Sequence, residues 1–201
     1  VQAAEKEYMD VTLVARGQAG HASVPRTDNV VAAIARAVTR ISEHRPSARV
    51  EEVVRGFLTR QMEGAGSPLK AAIEEVLAAS PGPDLDRAAD ALAAMEPEFG
   101  AMLRDTVAPT MLQAGYKSNV IPAEARATFN ARLLPSTTVA DLIAVLLDVI
   151  DDASIELSFE APTRARVAAI PTNTPLYEAI SEAAKELAFE ARVMPYMAAW
   201  T

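Results

Sequence analysis

Alternation of apolar and polar positions is the clearest signal near the start of the chain. Over residues 8–17 (YMDVTLVARG), Met9, Val11, Leu13 and Ala15 fall on one face and Asp10, Thr12 and Arg16 largely on the other. That pattern predicts a half-buried strand. The turn-rich QAGHASVPRTDN follows, and Asp28 or Asn29 is placed to cap a helix in which Val30, Ile34, Ala37, Val38 and Ile41 recur at helical spacing. Pro46 ends this helix or lies just past its end.

From about residue 50 to 106 the period is helical but broken by Gly64, Gly66, Pro68, Pro81, Gly82, Pro83 and Pro97, which predicts an insertion of three or four helices. TMLQAGY (residues 110–116) and ARATFNARLL (125–134) then read as antiparallel neighbours joined by the turn KSNVIPAE. Thr137 or Thr138 precedes a striped helix, VADLIAVLLDVI, and SIELSFEA alternates as a fourth strand. Without the insertion the order is strand, helix, strand, strand, helix, strand. The expected class is therefore α+β: a ferredoxin-like split βαβ fold, with a four-stranded antiparallel sheet and two helices on one face, plus a helical insertion.

The expected domain plan has residues 1–7 as a linker, 8–163 as the split βαβ domain and 164–201 as the start of a second domain. In that last part, Pro175 stands near a helix start, with an apolar stripe through Leu176, Ile180, Ala184 and Leu187 and a strand-like Val193–Met197 beyond. The lack of an initiator methionine and the apolar final segment YMAAWT suggest a piece of something longer.

Composition removes several function classes. Nineteen Lys and Arg against 27 Asp and Glu give a formal net charge of −8, the wrong sign for a nucleic-acid binder. The absence of cysteine excludes a disulfide scaffold, a thiolate nucleophile and cysteine-ligated zinc or iron–sulfur sites. No apolar run reaches the roughly 18–20 residues of a membrane span, and the most apolar stretch, 139–150, contains Asp141 and Asp148. No nucleic acid and no membrane are expected as partners.

The chemistry that remains is sparse. Of the two histidines, His44 (SEHRP) reads as a solvated residue at a helix C-terminus. His21 follows Gly17 and Gly20 directly after a strand, in a loop able to present an imidazole outward, although loop histidines are commonly just solvated. Asn119 occupies a tight turn, a place asparagine takes for its geometry alone. Arg132 puts a guanidinium fork, matched to a carboxylate, at the end of an otherwise apolar strand, where a surface salt bridge is an equal reading. The paired acids Glu51–Glu52, Glu74–Glu75 and Asp151–Asp152 have no histidine at metal-ligand spacing, so no metal ligand is expected in this chain.

Taken in order, GHAS-P after the first strand, then G-K-SNVIP, then N-R-LP resemble the lid, or dimerisation, domain of a zinc-dependent metallopeptidase family. That family includes aminoacylase, acetylornithine deacetylase, succinyl-diaminopimelate desuccinylase and carboxypeptidases. The long insertion looks most like the carboxypeptidase S branch, whose members hydrolyse or form N-acyl amino acids and peptides. The resemblance implies two zinc ions held by a catalytic domain outside this chain, with this chain inactive alone. It also implies a homodimer and a peptide or N-acyl amino acid substrate; the family includes cytosolic and exported members, so it leaves the compartment open, with cytoplasmic the leading expectation. His21 matches the lid histidine that hydrogen-bonds the scissile carbonyl, often in the partner subunit, while Asn119 and Arg132 match positions that hold the substrate's carboxylate or backbone. Ser136 departs from the glycine of the family's LPG turn, and an insertion of this size could cover the edge or helix through which lids pair. The competing class is a non-catalytic module of the same architecture that dimerises or binds a small ligand.

Overall fold

A computed structural model describes residues 1–160, 169–187 and 192–199. In chain order β1 (Gln2–Glu5) leads through Lys6 into β2 (Glu7–Arg16), then β3 (Gly20–His21) and α1 (Val30–Glu43). The insertion comprises α2 (Glu52–Met62), α3 (Ser67–Ala78), α4 (Pro83–Met95) and α5 (Pro97–Met102). Next come β4 (Thr106–Ala114), β5 (Val120–Ile121), β6 (Glu124–Leu133), α6 (Val139–Ile150) and β7 (Ile155–Phe159), then α7 (Pro175–Leu187) and β8 (Tyr196–Ala198). The domain boundary expected at 163/164 lies outside the described residues, as does Ala161 at the end of the expected fourth strand.

Strands β4, β6, β2 and β7 form, in that spatial order, one antiparallel sheet, as the split βαβ pattern requires. Its inner face carries Met9, Val11, Leu13 and Ala15 from β2 and Ala125, Ala127, Phe129, Ala131 and Leu133 from β6. Val30, Ile34, Ala37 and Ile41 of α1 and Leu142, Leu146 and Ile150 of α6 close over them. The small alanines on β6 let the helices approach, and Phe129 fills the centre. Asn29 caps α1, its side chain accepting from the backbone N–H groups of Val31 and Ala32. Thr138 and Asp141 form a capping box on α6.

Strand β4 starts at Thr106, four residues before the sequence pattern suggests. Pro109 argues against a strand there, but β4 is the outer strand and its register shifts between Pro109 and Met111, where a proline is tolerated. Residues 108–114 are all exposed, so the insertion does not cover this edge. Three of the four prolines that look like breakers, Pro68, Pro83 and Pro97, instead start helices, each in the first two positions of α3, α4 or α5.

The insertion makes a second core from Val54, Leu58, Ile73, Val76, Leu92 and Leu103, with Phe57 and Phe99 edge-to-face at 5.1 Å between ring centres. Ala3 and Ala4 of β1 and Met197 of β8 belong to this core. The expected linker 1–7 is thus structured: β1 pairs in parallel with β8, a partner almost the whole chain away that periodicity in four residues cannot reveal. Along α7, by contrast, no described residue is buried, and Leu176 and Leu187 of its apolar stripe are exposed.

Lys6 ties the two cores together. It is 1% exposed, and its ammonium donates to the carbonyls of Ala101 (3.0 Å) and Arg104 (2.8 Å) and to Thr106 Oγ1 (3.2 Å). Beside it Asp105 accepts from Arg49 (2.6 Å), Thr137 Oγ1 (2.8 Å) and the Leu134 N–H (2.7 Å). Burial lowers the Lys6 pKa to about 8, opposed by the charge of Asp105 and reinforced by that of Arg132. No helix among the described residues is long and apolar enough to cross a membrane.

Candidate functional site

His21 and Asn119 come together. The loops after β2 and β4 meet as the two-stranded pair β3–β5, with Gly20 opposite Ile121 and His21 opposite Val120, and the Ala22 N–H donates to the Asn119 carbonyl at 3.0 Å. Gly17 allows the chain to leave β2 toward this loop, because a Cβ there would sit 2.8 Å from Val30 Cγ1 and 3.3 Å from the Asp28 carbonyl. Both side chains are exposed.

The protonation pattern of His21 follows from its neighbours. Ser23 N–H, which can only donate, points at His21 Nδ1 (3.2 Å), and Ser23 Oγ lies 2.6 Å from the same nitrogen. Nδ1 is therefore an acceptor, and the neutral ring carries its proton on Nε2. The loop presents an outward N–H donor, suited to an oxygen gaining negative charge.

Arg132 is elsewhere. It lies near the end of β6, and Ala131 and Leu133 on either side of it point into the core, so Asn130 and Arg132 belong to the open polar face rather than to an apolar strand end. Eight residues of β6 separate it from Glu124 at the other end, where the strand leaves the His21–Asn119 pair, about 27 Å along an antiparallel strand. Within one chain the candidates thus form two groups, not one.

Around Arg132 the structure shows residues that the sequence does not single out. Its guanidinium carbon lies 4.6 Å from the centre of the Tyr8 ring, and its Nε donates to Asn130 Oδ1 (3.2 Å). Tyr8 OH donates to Asp10 Oδ2 (2.7 Å), and Asn130 Nδ2 to Asp10 Oδ1 (3.4 Å). The signal was present as i, i+2 pairs in two strands, but only the register joins them, setting Tyr8 opposite Arg132 and Asp10 opposite Asn130. The Tyr8 phenol pKa is raised, first by its hydrogen bond to Asp10 and then by desolvation and the Asp10 charge.

His44 is the C-cap of α1, its N–H bonded to the Arg40 and Ile41 carbonyls. A pocket of about 330 Å³ between α1, the following connector and α6 is lined by Ile41, His44, Arg49, Val107 and Leu146 among others, and includes none of the three candidates. Among the described residues no group of three or more His, Asp or Glu could hold a metal ion.

Comparisons with known proteins agree with this architecture. A family model described as "Peptidase dimerisation domain" matches residues 3–157. The chain is 29% identical over 156 residues to "Probable carboxypeptidase S-like 2" of Dictyostelium discoideum, covering 77% of this chain and 28% of that protein. It is 30% identical over 155 residues to the Xenopus tropicalis "N-fatty-acyl-amino acid synthase/hydrolase PM20D1", covering 77% of this chain and 29% of that protein. The chain thus spans under a third of the curated relatives it matches. Among solved structures it resembles the M20 family metallo-carboxypeptidase Sso-CP2 from Sulfolobus solfataricus, with a TM-score of 0.57 at 18% identity over 100% of this chain and 53% of that one. Human carnosine dipeptidase 1 gives 0.54 at 12% identity over 100% and 45%. These structural likenesses speak for the fold, and the family match covers most of the chain. The chain belongs to the peptidase dimerisation domain family.

Proposed function

We propose that this chain is the lid of a larger dizinc metallopeptidase or amidohydrolase that hydrolyses the amide bond of a peptide or N-acyl amino acid, and that it is inactive alone. Residues 8–163 form the lid, while 1–7 and 164–201 lead from and into a catalytic domain. The β1–β8 pair, which brings the two ends of the chain side by side outside the four-stranded sheet, and the exposed Leu176 and Leu187 of α7 support that division. The metal ligands would come from the catalytic domain.

This chain's own contribution has three parts. His21 Nε2–H donates to the scissile carbonyl oxygen as charge develops on it, Asn119 helps to hold the substrate, and Arg132 pairs with the substrate's free carboxylate. The observation that carries the reading is the separation of the two groups. A dipeptide-sized substrate spans on the order of 10 Å, so one lid cannot place both His21 and Arg132 on it. In a homodimer each substrate meets Arg132 from one protomer and His21 with Asn119 from its partner, and the uncovered β4 edge supports such pairing.

Subunit mixing of the longer enzyme tests this. His21→Ala and Arg132→Ala homodimers are each expected to have little turnover. Randomly mixed, half the dimers are hybrids with one intact site of two, restoring about a quarter of wild-type turnover. No recovery in verified hybrids would mean that both groups act within one protomer, and unimpaired single variants would favour the non-catalytic module.

A further inference from the structure

We infer that Tyr8, Asp10 and Asn130 are positioning residues that preset the Arg132 guanidinium for a carboxylate. This rests on the proposed role of Arg132 and adds the residues that set its aim.

The four side chains stand on the open face of two central strands, in directly opposed pairs: Tyr8 with Arg132, Asp10 with Asn130. Each is linked to the next. The Tyr8 ring lies under the guanidinium at 4.6 Å, the Tyr8 hydroxyl donates to Asp10, Asn130 donates to Asp10, and Arg132 Nε donates to Asn130. A flat cation stacked on a ring keeps its plane parallel to the ring, and a bond from Nε fixes rotation within that plane. Asp10 holds both supports at once, orienting the ring through its hydroxyl and the Asn130 amide through its nitrogen, which leaves the Asn130 oxygen toward Arg132. Asp10 thus accepts from two neutral donors, one on each support of the guanidinium. A long arginine side chain loses much rotamer freedom when it is fixed; here the strands have already imposed much of that order before substrate arrives.

The test is a double-mutant cycle in the longer enzyme, comparing a substrate with a free carboxylate and the same molecule as its carboxamide. Tyr8→Leu is expected to raise KM for the carboxylate substrate about tenfold with little change in kcat, and to leave the carboxamide unaffected. In an Arg132→Ala background Tyr8→Leu is expected to cost nothing further. Tyr8→Phe keeps the ring and should restore most of the wild-type KM, while Asp10→Ala, which frees both supports without touching the core, should raise it severalfold. An undiminished Tyr8→Leu effect without Arg132, or equal effects on both substrates, would overturn the positioning role. Loss of neither carboxylate preference nor turnover on Arg132→Ala would overturn the Arg132 reading itself, and this inference with it.

Discussion

At one end of β6, His21 and Asn119 are joined by main-chain bonds between two short loops, whereas at the other end Arg132 is braced by side chains on neighbouring strands. The first arrangement is held by backbone bonds between the loops themselves; the second stands on the sheet beneath it. The contrast fits the two tasks proposed for these residues. A group that reaches into a site formed with another subunit benefits from a loop that can close on it, while a carboxylate anchor must be in place before the amide is aligned.

Breaking the braced end has the largest expected consequence. Arg132→Ala in the longer enzyme should lower kcat/KM for a carboxylate-bearing substrate by roughly 100- to 1,000-fold, about 3–4 kcal/mol, with the fold unchanged because Arg132 lies on the open face. Arg132→Lys should recover little, since an ammonium cannot reproduce the two-pronged contact. Steady-state kinetics on paired carboxylate and carboxamide substrates checks this, and equal losses on both would remove the anchor role.

The difference between the two ends also explains what could be read from the sequence. Alternation in β2 and β6 and the stripes of α1 and α6 revealed the sheet core because each is a local pattern with a strong period. His21, Asn119 and Arg132 were visible through short ordered motifs, and the matched family agrees with the fold those motifs imply. The partnership of Tyr8 with Arg132 was not visible, since residues 124 positions apart meet only through strand register. The same holds for β1 with β8 and for Lys6 with the carbonyls of Ala101 and Arg104. In each case long-range geometry, not composition, makes the contact.

Lys6 probes the stiffness beneath the Arg132 end, because its partner Thr106 is also the β4 neighbour of Arg132. Its native pKa of about 8 lies below the ordinary 10.5, so between those values the unfolded chain binds the additional proton. Native stability therefore rises with pH across that window, and below about pH 8 both states are protonated and the dependence ends. Comparison with Lys6→Met isolates the effect. The stability of the parent relative to the variant should climb by about 3 kcal/mol from pH 8 to 10.5 in denaturant titrations. A flat difference would mean that the ammonium reaches water.

At the loop end the expected effects are smaller. Ser23→Ala removes the hydroxyl 2.6 Å from His21 Nδ1 but keeps the backbone N–H that sets the tautomer. Turnover in the longer enzyme should fall roughly tenfold, about 1.4 kcal/mol, with KM for the carboxylate substrate unchanged. A change in KM alone would couple this loop to substrate anchoring and erase the contrast between the ends.

The smallest effect is expected where the loop joins the sheet core. Asn29 accepts from Val31 N–H at 2.9 Å and Ala32 N–H at 3.4 Å, which fixes the first turn of α1 and with it the landing point of the His21 loop. Asn29→Ala should cost about 1 kcal/mol of stability, and Asn29→Asp, which keeps the acceptor at the positive end of the helix, should cost less than that. Because β3 is tied to β5 by its own backbone bonds, the loop should keep its shape while α1 frays. Turnover is then expected to stay within about twofold of the parent even as the thermal midpoint drops by several degrees. If turnover instead falls in step with the midpoint, the loop takes its position from the helix rather than from β5, and the two ends of β6 depend on the same core after all.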